Sequence, residues 1–133
     1  MNVVDQLKID EGFRSKVYKC SSGFNTIAYG FNLDLNDFPE HIASMLLDFC
    51  IEKVKADLQP FYWYSMQPQS IKDALINMCY NMGLKKLLGF KKMIAALEKR
   101  DYITAANEAM DSLWAKQVGN RAKRIEAIIR QGK

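Results

Sequence analysis

Three side chains with reactive or polar groups stand close together near the start of the chain, in the stretch IDEGFRSKVYKCSSGFNTIAYG. Glu11 is followed nine positions later by Cys20, and six positions after that by Thr26. A carboxyl group can give or take a proton, an ionised thiol can act as a nucleophile, and a hydroxyl can orient water. The three residues therefore predict acid–base or nucleophilic chemistry on a bound substrate.

Each of these residues also has an ordinary structural interpretation. Glu11 falls in the last turn of a short helix that Gly12 would end, where the helix dipole disfavours negative charge and favours the neutral carboxyl that a general acid requires. The alternative is a solvated surface acid. Cys20, close in sequence to Lys16 and Lys19, could be a thiol packed at a strand end, and Thr26 is β-branched, which is common in strands.

The elements that must position these residues follow from the hydrophobic pattern. Residues 2–11 predict a helix, and the two runs around Ser-Ser-Gly predict a β-hairpin, followed by a third short strand or a loop in FNLDLND. Pro39 opens a helix to about residue 59, with apolar residues at four-residue spacing. Further helices are predicted in SIKDALINMCYNM, KKMIAALEK, YITAANEAMDSLW and NRAKRIEAIIRQ.

These elements predict an α+β fold in a single domain. We expect a small N-terminal lobe of about residues 13–38, a connecting helix of about 39–59, and a helical lobe of about 60–133. The helical lobe is expected to include the N-terminal helix 2–11 as well. A cleft between such lobes would be the usual place for a ligand.

Composition limits the classes of protein to consider. The chain has 133 residues, of which 49% are hydrophobic and 26% charged, as expected for one ordered domain. No apolar run predicts membrane insertion, and the N-terminus lacks the pattern of a signal peptide. His41 is the single histidine, and the three cysteines lack metal-ligand spacing, so we expect neither a metal site nor a cofactor.

The net charge of +4 suits an anionic polymer or surface such as nucleic acid, cell wall or acidic lipid. The basic tail NRAKRIEAIIRQGK could meet phosphates, but it lacks the interleaved aromatic residues of single-strand binders. A solvated face of an amphipathic helix is the favoured interpretation, and we expect no nucleic-acid partner.

Taken together, these segments resemble the lysozymes of T-even bacteriophages, muramidases of glycoside hydrolase family 24. The resemblance begins in MNVVDQLKIDEGFRSKVYK and recurs in ALINMCYNMG, at Gly89-Phe90, around Ser112-Leu113-Trp114 and in GNRAKR. It spans most of the chain in the same order. The family pattern of Glu, eight residues, Asp or Cys, five residues and Thr is met by Glu11, Cys20 and Thr26.

The resemblance implies a lysozyme-like fold and hydrolysis of the β-1,4 bond between N-acetylmuramic acid and N-acetylglucosamine in peptidoglycan. It implies that Glu11 is the general acid, that Cys20 shares the catalytic site, and that Thr26 lies near the attacking water. Arg121 matches an arginine that pairs with the catalytic glutamate. Further residues are implied to bind substrate: Gly30, Asn32, Tyr80 and Asn81.

The chain departs from the family pattern at several positions. Cys20 stands where the T-even enzymes have aspartate, Phe31 replaces a histidine, and Asn32 replaces a leucine near the sugar. Met93 and Glu108 replace polar contacts. The segment between Gly30 and the long helix is shorter than in the family, and the chain stops soon after NRAKRIEAIIRQ.

The resemblance implies an endolysin: a monomer made in the host cytoplasm that degrades the wall after a holin opens the membrane. A non-catalytic peptidoglycan-binding module, in which Cys20 marks lost activity, is the alternative. A small basic nucleic-acid-binding protein is a second alternative.

Overall fold

A computed structural model describes all 133 residues and has the α+β architecture expected from the sequence: many helices and one small antiparallel sheet. The elements in chain order are α1 (Val3–Glu11), β1 (Arg14–Lys19), β2 (Asn25–Ala28), β3 (Phe31–Asn32), α2 (Glu40–Leu58), α3 (Tyr62–Ser65), α4 (Gln69–Met82), α5 (Leu84–Leu88), α6 (Lys91–Glu98), α7 (Tyr102–Met110), α8 (Leu113–Val118) and α9 (Asn120–Gln131).

The chain divides into two compact units, unit 1 (Met1–Leu46) and unit 2 (Leu47–Lys133). Unit 1 contains α1, the sheet and the start of α2. The boundary falls within α2, whose observed bounds agree with the predicted helix of about 39–59. The lobe limits predicted from the sequence, including the assignment of helix 2–11 to the helical lobe, stay predictions.

Helix α1 is defined by a cap at each end. The Asn2 side chain accepts a hydrogen bond from the Asp5 backbone N–H at 2.9 Å, which satisfies one of the free donors at the helix start. At the other end Gly12 has a φ of 69°, a conformation that glycine adopts without a steric penalty. These local signals explain why the sequence predicted the helix and its end directly after Glu11.

The sheet has the order β1-β2-β3 with β2 in the centre. Tyr18 on β1 and Asn32 on β3 both lie opposite Thr26, and an irregularity in β1 separates Arg14 from Tyr18. The predicted Ser-Ser-Gly turn is present: the Gly23 N–H donates to the Cys20 carbonyl at 2.9 Å. Cys20 and Thr26 are thereby brought to the same end of one hairpin.

The main hydrophobic core lies in unit 2. It is formed by the apolar faces of α4 and α9, with side chains from α3, α6, α7 and α8. On α9 the buried positions Ile125 and Ile129 are one turn apart, whereas Ile128 is 39% exposed. Its side chain is turned by about 100° from that of Ile129, which takes it off the buried face. No helix is both long and apolar enough to cross a membrane.

Candidate active site

Glu11 is the last residue of α1 and is exposed to solvent. Its carboxyl group lies directly against the backbone of Gly30: a Cβ atom placed on Gly30 would stand 2.8 Å from Glu11 Cδ and closer still to Oε2. Only glycine leaves room for the carboxyl at this point, and Gly30 also has a φ of 71°. The structure therefore brings Glu11 and Gly30, both predicted site residues, into contact.

Cys20 follows β1 at the start of the hairpin turn and is half-buried. The backbone N–H of Phe24, followed by that of Ser22, lowers the pKa of the Cys20 thiol from its usual range, while burial opposes this shift. The Thr26 hydroxyl and the Gly23 amide lower the pKa further. Oriented backbone amides around a turn stabilise an anion, so the hairpin favours the thiolate form of Cys20.

Thr26 is the one buried residue of β2, at 3% exposure, because strands lie on both sides of it. Its hydroxyl donates a hydrogen bond to the Phe24 carbonyl at 3.0 Å. A hydroxyl has one proton to donate, so the bond to Phe24 competes with donation to the Cys20 sulfur. The structure brings Cys20 and Thr26 together, and both side chains hydrogen-bond to the backbone of Phe24. The Cys20 sulfur accepts from its N–H, and the Thr26 hydroxyl donates to its carbonyl.

Asn32 and its neighbours form a tightly bonded loop after β3. The Asn32 side-chain oxygen accepts the backbone N–H groups of Asp34 and Leu35, each at 3.0 Å. Asp34 in turn accepts the Asn25 backbone N–H at 2.7 Å, and this bond holds the pKa of the Asp34 carboxyl below its usual range. The Asn32 oxygen is therefore used within the loop, which leaves its side-chain NH₂ group for a ligand.

Tyr80 and Arg121 line one groove of unit 2, with a volume of about 400 Å³. The Arg121 Nε donates to the Asn77 side-chain oxygen at 2.9 Å, and Asn77 lies three residues before Tyr80 on α4. Tyr80 is 48% exposed, so a face of its ring is available for contact with a ligand. The groove thus combines an aromatic surface, a cation and an amide.

Asn81 lines a different groove from the one that Tyr80 and Arg121 share. The volume of this second groove is about 470 Å³. The Asn81 side-chain oxygen accepts the Trp114 Nε1–H at 2.8 Å. Adjacent residues on a helix point about 100° apart, which explains why Tyr80 and Asn81 serve different surfaces.

The predicted residues fall into two sets: Glu11, Cys20, Thr26, Gly30 and Asn32 belong to unit 1, and Tyr80, Asn81 and Arg121 belong to unit 2. The pairing of Arg121 with Glu11 implied by the resemblance stays a prediction, as do the roles of all these residues. Within the described chain, no three side chains of the kinds that bind metal ions cluster together.

Sequence reasoning missed two polar residues next to the candidate site. Asn77 holds the Arg121 side chain, and Asp34 closes the loop beside Asn32. Helical spacing to Tyr80 could have identified Asn77 as part of the same face of α4. The alternation of Asn and Asp in FNLDLND is typical of side-chain-to-backbone turns and could have identified Asp34.

Comparisons with known proteins place this chain among lysozyme-like proteins. The phage lysozyme family model matches residues 8–131. "Probable T4-type lysozyme 1" of Dictyostelium discoideum is 24% identical over 161 residues, covering 98% of this chain and 95% of that protein. "Probable T4-type lysozyme 2" of the same organism is 27% identical, covering 96% and 93%. "Pre-baseplate central spike protein Gp5" of Enterobacteria phage T4 is 26% identical over 99% of this chain, which spans 28% of that protein.

The α+β fold with a glutamate at the end of its first helix is that of a lysozyme-like protein. Since the family model matches nearly the whole chain, the chain belongs to the phage lysozyme family. Its function is accordingly lysozyme-like, that of a lysozyme-type hydrolase, and the family implies peptidoglycan as the substrate. The alignment to the first relative is longer than this chain, so the relative carries insertions that this chain lacks.

Proposed function

We propose that this protein is an endolysin that hydrolyses the β-1,4 bond between N-acetylmuramic acid and N-acetylglucosamine in bacterial peptidoglycan. Family membership supports the reaction class. The observation that carries the proposal is the arrangement within unit 1, where the Cys20 thiol stands beside the Thr26 hydroxyl and the Glu11 carboxyl lies against Gly30. Three chemically distinct groups that this reaction can use are held by one helix end and one hairpin.

Glu11 is proposed as the general acid that protonates the leaving oxygen of the glycosidic bond. Its exposure leaves the carboxyl accessible to a substrate, and its contact with Gly30 limits the positions that the carboxyl can adopt. Proton delivery by a positioned side chain contributes about 10²–10⁴-fold to a rate. Substitution of Gly30 by any other residue would displace this carboxyl.

Cys20 is proposed to take the second role in the reaction, for which glycosidases normally use another carboxylate. Because the hairpin amides and Thr26 lower the pKa of the thiol, a negative charge is favoured at the place where the T-even enzymes have aspartate. A thiolate could stabilise the cationic sugar or attack it, while Thr26 orients water. The alternative is a neutral thiol that serves as a spacer.

Substrate contacts are proposed for residues of both units. Gly30 and the free amide group of Asn32 would face the sugar from unit 1. In unit 2, Tyr80 offers a ring for stacking on a sugar face, and Asn81 adds a polar group. Arg121 is proposed to pair with the Glu11 carboxylate that remains once the proton has been delivered, with Asn77 fixing the orientation of Arg121.

In the cell we propose that the protein is monomeric, accumulates in the host cytoplasm, and reaches the wall through membrane holes made by a holin, which leads to lysis.

One observation favours a second candidate function: a cysteine in place of the usual aspartate fits a peptidoglycan-binding module that has lost activity.

Mass spectrometry of the fragments released from purified peptidoglycan separates these functions. We expect fragments with reducing muramic acid ends, released by the wild type and not by Glu11→Gln, whose amide is nearly isosteric but cannot deliver a proton. Both proteins should sediment with the wall. Anhydro ends would indicate a lytic transglycosylase instead, and wall binding without any release would establish the non-catalytic module.

A further inference from the structure

The turn that touches Glu11 consists of Tyr29 and Gly30, directly after Ala28, the last residue of β2. It joins β2 to β3, where Ile27 lies opposite Phe31. Ala28 has a φ of 60°, in the left-handed region that residues other than glycine rarely adopt, and it pairs with Arg14 at the start of β1. An unfavourable backbone conformation persists where surrounding contacts hold it, and such positions cluster at functional sites.

Tyr29 supplies contacts that hold this turn to the end of α1. Its ring lies 5.7 Å from the ring of Phe13, centroid to centroid, and the Lys8 Nζ lies 5.6 Å from the Tyr29 centroid. Phe13 follows Glu11 by two residues, and Lys8 precedes it by three, one helical turn earlier. Tyr29 therefore contacts the chain on both sides of Glu11, while its neighbour Gly30 contacts the Glu11 carboxyl itself.

Two kinds of restraint thus act on one carboxyl group. The Gly30 backbone blocks one side of the Glu11 carboxyl. This contact restricts the position of the carboxyl only if α1 and the turn keep a fixed separation. Aromatic pairs and cation–π contacts stabilise a particular relative orientation of the groups they join. Tyr29 is the one side chain of the turn that makes contacts of these two kinds. It forms a cation–π contact with Lys8 in α1 and an aromatic pair with Phe13, which follows α1.

We propose that Tyr29 is a positioning residue for Glu11: its ring, which contacts both Lys8 and Phe13, holds the Gly30 backbone against the catalytic carboxyl. This inference rests on the proposed function of Glu11 as general acid. A displacement of a reacting group by about 1 Å can cost on the order of 10²-fold in rate. Loss of positioning should lower kcat, because the reacting carboxyl is misplaced, and should leave KM nearly unchanged, because Tyr29 itself does not bind the sugar.

The kinetic test uses Tyr29→Ala, Tyr29→Phe and, as matched control, Tyr62→Ala, which removes a tyrosine that is 73% exposed in unit 2. Hydrolysis of soluble peptidoglycan fragments gives kcat and KM separately. We expect Tyr29→Ala to lower kcat by about 10–100-fold with KM changed less than about twofold, and Tyr29→Phe to restore kcat because it keeps the ring. Tyr62→Ala should match the wild type. A Tyr29→Ala variant that raises KM with kcat intact would overturn positioning and make Tyr29 a substrate contact.

A second measurement does not depend on activity. The Glu11 side-chain ¹³Cδ resonance should report one ordered environment in the wild type and in Tyr29→Phe, and an averaged one in Tyr29→Ala and in Phe13→Ala. If Tyr29→Ala fails to fold, Phe13→Ala makes the same test from the other ring. An unchanged resonance together with unchanged kcat in a folded variant would overturn the proposal while Glu11→Gln remains inactive. An active Glu11→Gln would instead overturn the proposed function on which it rests.

Discussion

At the scale of single residues, Cys20 is the proposed site residue at which this chain differs from the aspartate of the T-even enzymes. A free cysteine has a pKa of about 8.5, so only a few per cent is thiolate at neutral pH. The backbone N–H of Phe24 and its neighbours lower the pKa of Cys20, which raises that fraction. Lys16 and Lys19 are close to Cys20 in sequence, and a nearby cation would also favour a thiolate. The structure assigns this effect to turn amides and to Thr26 instead.

If Cys20 acts as an anion, its replacements should separate charge from shape. We expect Cys20→Asp to remain active because aspartate supplies a negative charge at the same place. Cys20→Ser should lose most activity, because a serine hydroxyl does not ionise near neutral pH. Turbidity loss of outer-membrane-stripped cells measures both variants, with Cys50→Ser, a half-buried cysteine of α2, as the matched control. A fully active Cys20→Ser would leave Cys20 as a spacer.

The lowered pKa also predicts the order in which the cysteines react with iodoacetamide. Only the thiolate reacts, so a lowered pKa makes Cys20 reactive at lower pH, whereas burial raises the pKa of the Cys79 thiol and slows its reaction. Peptide mapping across a pH series should show Cys20 alkylated first, with a midpoint at lower pH than that of Cys79. Alkylation should inactivate the wild type but not Cys20→Asp. A Cys20 midpoint at or above that of a free cysteine would contradict the effect of the hairpin amides.

At the scale of elements, Ser112 joins two helices of unit 2 through one hydroxyl. It donates to the Ala109 carbonyl at 2.7 Å, near the end of α7, and accepts the Ala115 N–H at 3.1 Å, in the first turn of α8. Ser112→Ala removes both bonds and should lower the free energy of unfolding by about 0.5–2 kcal/mol. Denaturant unfolding measures this change, with Ser15→Ala, an exposed serine of β1, as control. Equal stability of the two variants would show that the cap contributes little.

The bounds of several elements could be predicted because their signals are local in sequence. Gly12 ends α1, the Ser-Ser-Gly turn makes the first hairpin, and Pro39 and Pro60 bracket α2, whose observed bounds differ from the predicted ones by one residue at each end. Each signal acts within a few residues, through a fixed φ, a missing donor or a turn conformation.

The contacts that complete the candidate site could not be predicted in the same way. Arg121 and Asn77 are 44 residues apart in sequence, and Asp34 reaches back nine residues to Asn25. Such pairs depend on how elements pack, which hydrophobic spacing does not specify. The family resemblance identified Glu11, Cys20 and Thr26 as candidates, but nothing in the sequence indicated that Tyr29 would pack against Phe13, two residues after Glu11.

At the scale of the whole molecule, positive charge is unevenly distributed along the chain. Residues 47–133 carry fifteen Lys and Arg against nine Asp and Glu, whereas residues 1–46 carry four against six. Only two ion pairs are formed, Lys55 with Glu52 and Arg130 with Glu126. Most cations of unit 2 therefore keep their charge available for an anionic wall polymer.

This distribution predicts that wall binding weakens with salt and depends on unit 2. Exposed charges are screened beyond about 10 Å at 0.1 M ionic strength. Sedimentation of the Glu11→Gln protein, which we expect not to degrade the wall, should show less protein bound to purified walls as salt rises. Lys85→Gln/Lys86→Gln should reduce binding more than Lys16→Gln/Lys19→Gln, since both pairs remove two charges but only the first removes them from the basic unit. Wall binding that does not depend on salt, or an equal loss of wall binding in the two double variants, would contradict the prediction. Retention of the protein on heparin or DNA that survives moderate salt would instead favour a nucleic-acid partner.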